Sequence, residues 1–239
     1  MNARSKEFFT FSTEEMGWLG ISAVICAFIF SFRDWGDTTF DASLGLFHFM
    51  LLILVCLFSL LVRFTAQKMK ALSLGYLAEF KIWWTGLVIS LALTFVSMGK
   101  FSIILVGGVS VAFMVRQRLG EFRYGFSYQQ NGEIGFTGIM TNLLLAFVFG
   151  IGLYLFPTSY LFEKAMWFNL AMGFFSFIPL IQLDGLSIFF GSREMYFGGL
   201  LMFILGSVLI ATQSKVGLIL FGVVLTIGWI FTTLTQSTK

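Results

Sequence analysis

The chain has 239 residues, of which 58% are apolar and 11% charged, and its mean hydropathy is +0.91; a water-soluble domain with a mixed surface is excluded. The net charge of +3 comes from basic residues lying between apolar segments, where they orient a chain in a membrane instead of forming a nucleic-acid surface, so no nucleic-acid partner is expected. The apolar segments follow one another too closely for a separate soluble domain, and a single transmembrane domain, 1–239, in contact with membrane lipid is the expectation.

In chain order, Arg4, Lys6, Glu7, Glu14 and Glu15 precede the first apolar run. No small-residue cleavage site follows that run, so it is expected to stay as an anchor. A helix needs roughly 20 apolar residues to span the hydrocarbon core, and stretches of about that length lie at 16–32, 44–62, 82–98, 134–156, 165–190, 195–211 and 216–233. An eighth, 101–115, is short, β-branched and broken by Gly107-Gly108; it is expected as a short span or a re-entrant element. In either form 82–98 and 101–115 enter and return, leaving the downstream topology unchanged. The fold class expected is an all-α polytopic membrane protein of about seven or eight segments. Placing both termini and the polar connection 116–133 in the cytoplasm puts eleven of the fifteen basic residues there, leaving Arg33, Lys100, Lys164 and Lys215 outside. That asymmetry orients the chain, and the plasma membrane is the expected location. Cys26 and Cys56 fall inside apolar segments and are read as small buried hydrophobes.

Three polar marks interrupt the apolar runs. Asp184, preceded by Pro179 and followed by Gly185, stands near the end of segment 165–190. An aspartate within a span costs about 2.5–3.5 kcal/mol, so it faces the protein interior with a partner or a function, or else lies close enough to the interface to be hydrated near Arg193. Asn142 follows Gly138 by one turn, a pattern that permits close helix approach and an interhelical hydrogen bond. Arg63, Gln67 and Lys70 occupy neighbouring faces at the end of segment 44–62, where basic residues commonly anchor a span at the headgroups.

Together these marks resemble the site-2 protease family of intramembrane zinc metalloproteases, in particular its compact archaeal branch. Its pattern is HExxH on one helix, Gly-Pro-x-x-Asn on a second, and Asn-x-x-Pro-x-x-x-Leu-Asp-Gly on a third. Pro179 with Leu183-Asp184-Gly185 matches the last stretch, although Ser176 stands where asparagine is usual. Gly138 to Asn142 matches the second without its proline. The run 75–83 looks like the stretch after HExxH, and Gly132-Glu133-Ile134 like the approach to the second stretch. The likeness spans about residues 10–195 and implies a site-2-protease-like transmembrane core. Spacing from Lys68 and Gly75 puts Arg63, Phe64, Thr65, Ala66 and Gln67 where the family has HExxH. That chemistry needs two imidazoles one turn apart, a glutamate base and a third ligand from the aspartate. Arg63 cannot coordinate a cation and Phe64 cannot act as a base; Gln67 offers at best a weak neutral oxygen. The one histidine, His48, is fifteen residues before Arg63, about 22 Å away along a helix.

The resemblance therefore implies a pseudoprotease: the fold is kept, zinc and catalytic residues are not expected, and a transmembrane helix or peptide of another membrane protein is bound without cleavage. The alternatives are a transporter or channel, whose pathway such polar residues and a broken helix can line, and an enzyme with a metal or nucleophile not recognised, for which Ser176 and Ser187 are the nearest candidates. Where the family holds zinc, an Arg63–Asp184 ion pair is expected, because a stranded carboxylate in a low-dielectric interior calls for a cation. The competing arrangement has Arg63 reaching into the headgroups and Asp184 hydrated, protonated or bonded to backbone donors.

Overall fold

The computed structural model describes residues 9–36, 40–113 and 127–237, with side chains through 226. The first helix, α1 (Thr13–Ser31), starts at a reciprocal cap in which Ser12 Oγ accepts from the Glu15 backbone and the Glu15 carboxylate accepts from the Ser12 backbone, satisfying two of the N–H groups that a helix start leaves open. A 3-10 turn (Phe32–Trp35) ends it. Asp41 caps α2 (Ala42–Ser73) by accepting from the Ser43 and Leu44 backbone, and its bond from the Ser43 hydroxyl helps hold the carboxyl below its ordinary range.

With 32 residues, α2 is about 48 Å long, well beyond a hydrocarbon core of about 30 Å. The apolar pattern fades after residue 62, but no glycine or proline stops the helix until Gly75, so Arg63 and Gln67 lie within it and not at its end. Next comes a strand, β1 (Tyr76–Ile82), then a helix, α3 (Trp84–Val96), and a second strand, β2 (Gly107–Phe113). The strands pair antiparallel, with Phe80 opposite Val109. One face of β1, with Tyr76, Ala78 and Phe80, is buried, and the Phe80 ring lies 4.3 Å from that of Phe64 on α2.

The fold is mostly helical, as expected, with a two-stranded sheet added to it, and of the two readings of 101–115 the sheet removes the short helical span. Residues 107–113 are strand, and Ile104, Leu105 and Val106 before them are buried. Helix α3 runs beside α1 in the same sense: Trp84 meets Trp18 at 5.6 Å and Phe95 meets Phe32 at 5.1 Å, ring centre to ring centre. Its 13 residues cover only about 20 Å. The chain returns along it without helix, the Leu105 N–H donating to Ser90 Oγ at 3.0 Å and the Trp83 N–H to the Val106 carbonyl at 2.8 Å. Non-helical backbone beside a membrane helix persists only where protein surrounds it, which is the situation of these residues.

The second half comprises α4 (Tyr128–Leu155), α5 (Tyr160–Ser176), α6 (Asp184–Gly191), α7 (Arg193–Ala211) and α8 (Lys215–Ser237). The expected single segment 165–190 is two helices, α5 and α6, because Pro179 has no N–H to continue a helical ladder; Gln182 adopts a left-handed conformation (φ 76°) in the connection between them. Four helices among the described residues are long and apolar enough to cross a membrane: Thr13–Trp35, Ala42–Ser73, Tyr128–Leu155 and Arg193–Ala211. Among the described residues α3, with 13 residues, and α5, which stops at the break, fall short of that length. The basic residues Arg4, Lys6, Arg116, Arg118, Arg123 and Lys239, and most of the connection 116–133, lie outside the described residues.

Candidate functional site

The site is built where α2, α4 and α6 meet. Asp184 opens α6, where the unpaired N–H groups and dipole of a helix N-terminus favour a carboxylate. Arg63 and Gln67 are one turn apart on α2, and their side chains converge on the same carboxylate oxygen. Arg63 Nη2 donates to Asp184 Oδ2 at 2.5 Å and Gln67 Nε2 donates to it at 2.9 Å. Asn142 on α4 completes the cluster, its amide oriented with the oxygen toward the guanidinium, accepting from Arg63 Nη1 at 2.6 Å and from the Gly173 N–H of α5 at 3.2 Å. All four side chains are buried, Arg63 with 0% and Asp184 with 3% of its surface exposed. At such burial an unpaired charge of either sign costs several kcal/mol, so each charge requires the other. Arg63 does not reach the headgroups, and Asp184 has its charge partner inside the protein.

Two glycines make this approach possible. A Cβ on Gly138 would meet Gln67 Nε2, and one on Gly185 would meet the Phe177 carbonyl, both far inside van der Waals contact. The first lets α4 lie against α2; the second seats the start of α6 on the end of α5 and so fixes the Asp184 carboxylate. Pro179 acts at a distance, ending the helical run so that Asp184 can begin a new helix.

Phe64 points away from the carboxylate, into the packing with Phe80. Neither serine near Asp184 is placed as a nucleophile: Ser176 Oγ donates to the Met172 carbonyl at 2.6 Å, and Ser187 Oγ accepts from Asn131 Nδ2 at 3.1 Å. Cys26 and Cys56 are buried free thiols. His48 is at the far end of α2, stacked on Tyr160 with ring centres 3.8 Å apart and 4.0 Å from Asp34, a carboxylate that also binds Lys164 at 3.1 Å and accepts from the Tyr160 hydroxyl.

Beside Asp184 opens a cleft of about 320 Å³, lined by Lys81, Gly108 and Ser110 of the sheet and by Gln182, Asp184 and Ser187. Sequence reasoning passed over the sheet's part in it, because Lys81 reads as one more basic residue in a connection. It also passed over a buried ion pair near the start of α1. Glu15 accepts from Lys68 Nζ at 2.8 Å and from the Phe80 N–H at 2.8 Å, tying α1, α2 and β1 together. The Ser12 to Glu15 spacing, a capping-box signature ahead of an apolar run, was the signal for it.

The fold and this centre define a helical membrane protein organised around a buried polar cluster. No family profile and no solved structure matches the chain. A protein of Methanocaldococcus jannaschii, provisionally named a zinc metalloprotease, is 30% identical over 187 residues, which cover 74% of this chain and 84% of that protein. The chain belongs to the site-2-protease-like family of that archaeal protein.

Proposed function

We propose that this chain is a catalytically inactive member of that family, which holds a transmembrane helix or extended peptide of another membrane protein without cleaving it. The observation that carries the reading is the Arg63–Asp184 pair, a guanidinium seated on the one carboxylate retained from the family's ligand set. The donors around Asp184 do not fit zinc. Tetrahedral zinc in a hydrolase takes three nitrogen, sulfur or carboxylate ligands and a water. Here Asp184 Oδ2 is already engaged by two donors, Gln67 contributes only an amide, and Arg63 is cationic. Among the described residues no three His, Cys, Asp or Glu side chains converge as a metal site. Without a Lewis acid or a base in place of Phe64, nothing at this centre activates a water. The adjoining cleft, with a strand on one wall and the turn that leads into α6 on the other, suits a segment of polypeptide.

The direct test is metal analysis of the purified chain together with an assay against generic transmembrane substrates. No stoichiometric zinc and no cleavage, with or without a chelator, are the expected results; chelator-sensitive cleavage would overturn the proposal. The same reading places the protein in the plasma membrane with both termini cytoplasmic, from the distribution of basic residues. A reporter fused after Lys239 should then signal from the cytoplasm, and a signal from outside would reject that orientation.

A further inference from the structure

A helix end leaves its last carbonyls without intrahelical donors, and at the end of α5 the break at Pro179 supplies no further turn. Phe177, the C-cap of α5, is buried. Among the described residues its carbonyl accepts one hydrogen bond, and the donor comes from α7: the Tyr196 hydroxyl, itself buried, at 3.0 Å. Without that hydroxyl the carbonyl would be left unpaired away from water, which is costly. On its other side the same carbonyl bears on α6, where a Cβ built on Gly185 would lie 2.2 Å from its oxygen. Gly185 follows Asp184 directly.

The Tyr196 ring is seated by packing, edge-on to Phe177 at 6.1 Å and to Phe189 at 5.3 Å, ring centre to ring centre, so the hydroxyl's bond is a separate contribution. Across 19 residues that bond closes a loop containing the turn at Gln182, Asp184 and the whole of α6. Within the loop Gln182 holds a left-handed conformation (φ 76°), which is costly for a residue with a side chain and persists only where the surroundings enforce it. We infer that Tyr196 is a positioning residue for the Arg63–Asp184 centre. Its hydroxyl fixes the Phe177 carbonyl, the carbonyl fixes Gly185, and Gly185 fixes the carboxylate against Arg63 and Gln67. The contacts of 2.5 and 2.9 Å at Asp184 Oδ2 tolerate little drift, because hydrogen bonds weaken steeply as their geometry degrades. The cleft wall from Gln182 to Ser187 belongs to the same loop and is set with it.

The full chain in detergent micelles is compared with Tyr196→Phe, which removes one oxygen and keeps the ring, and with Gly185→Ala, which presses on the Phe177 carbonyl from the other side. Two signals are read: backbone hydrogen exchange by mass spectrometry, and the exchange of the Arg63 Nη–H protons by NMR. Arg63, the one buried arginine among the described residues, is assigned by the loss of its signals in Arg63→Lys. Losing a buried hydrogen bond should speed local opening about tenfold. In Tyr196→Phe the amides of 180–191 and the Arg63 protons should therefore both exchange faster by about that factor, while the amides of 19–29 in α1 keep the parent's rate. Gly185→Ala should move the same two signals and leave α1 alone, and should either variant fail to fold, the other decides. A folded variant whose Arg63 protons keep the parent's rate, or one in which exchange rises equally in α1, would reduce the Tyr196 hydroxyl to ordinary packing and overturn the assignment.

Discussion

Arg63→Met and Asp184→Asn are each expected to lower the unfolding free energy by about 3–5 kcal/mol, and the double variant to lower it by much less than their sum. The reasoning starts from burial. The guanidinium has 0% of its surface exposed, so removing Asp184 leaves it with Asn142, a neutral acceptor that cannot offset a full charge. Removing Arg63 leaves the carboxylate with Gln67 alone. Each single change therefore strands a charge at a nearly buried position, whereas the double change replaces both charges with groups that need no ion partner. The cycle is read by reversible unfolding in mixed micelles with the four proteins side by side. Additive losses, or losses of a few tenths of a kcal/mol, would mean that the two residues lie side by side without energetic coupling.

On the proposed inactive reading, introducing imidazoles at positions 63 and 67 should create a metal site beside Asp184. In Arg63→His with Gln67→His, two imidazoles would lie one turn apart on α2, at positions whose present side chains both contact Asp184 Oδ2, at 2.5 and 2.9 Å. With the carboxylate this makes two nitrogens and one oxygen around a common point, leaving a fourth position open, as zinc hydrolases require. The expected result is close to one zinc per chain in the double variant against background in the parent, measured by elemental analysis after dialysis. Adding Phe64→Glu tests the remaining part, a base for the metal-bound water. That step carries a cost in stability, since Phe64 packs on Phe80 and a buried carboxylate there displaces an aromatic contact. Zinc absent from the double variant would show that residues 63, 67 and 184 are not the positions of a lost metal centre.

The membrane class was legible because composition alone separates chains dissolved in lipid from those dissolved in water. Asp184, Asn142, Arg63 and Gln67 stood out for a related reason: a polar residue in an apolar run is costly and therefore informative. Architecture was less legible wherever it depended on partners remote in sequence. In β1 the alternation of Tyr76, Ala78 and Phe80 with Glu79 and Lys81 carried a period-two signal, but it is seven residues long and its partner starts 25 residues after it ends. The hydropathy of α3 and of residues 101–113 matched that of spans, although one is too short and the other extended. Pro179 was recognised as a break, yet whether the chain beyond it bends or starts afresh depends on Gly185 packing against the Phe177 carbonyl, a contact that no local pattern encodes.

The extended return along α3 also bears on how the protein is made. A 13-residue helix is too short to settle across a bilayer by itself, and the strand-like stretch beside it would present unpaired peptide groups to lipid. Ser90 answers both needs, donating to the Gly86 carbonyl at 2.9 Å while accepting from the Leu105 N–H at 3.0 Å. The Leu105 N–H reaches that hydroxyl only when helix and return strand lie together. Residues 84–106 are therefore expected to enter the membrane together as one hairpin, each stretch satisfying polar groups of the other.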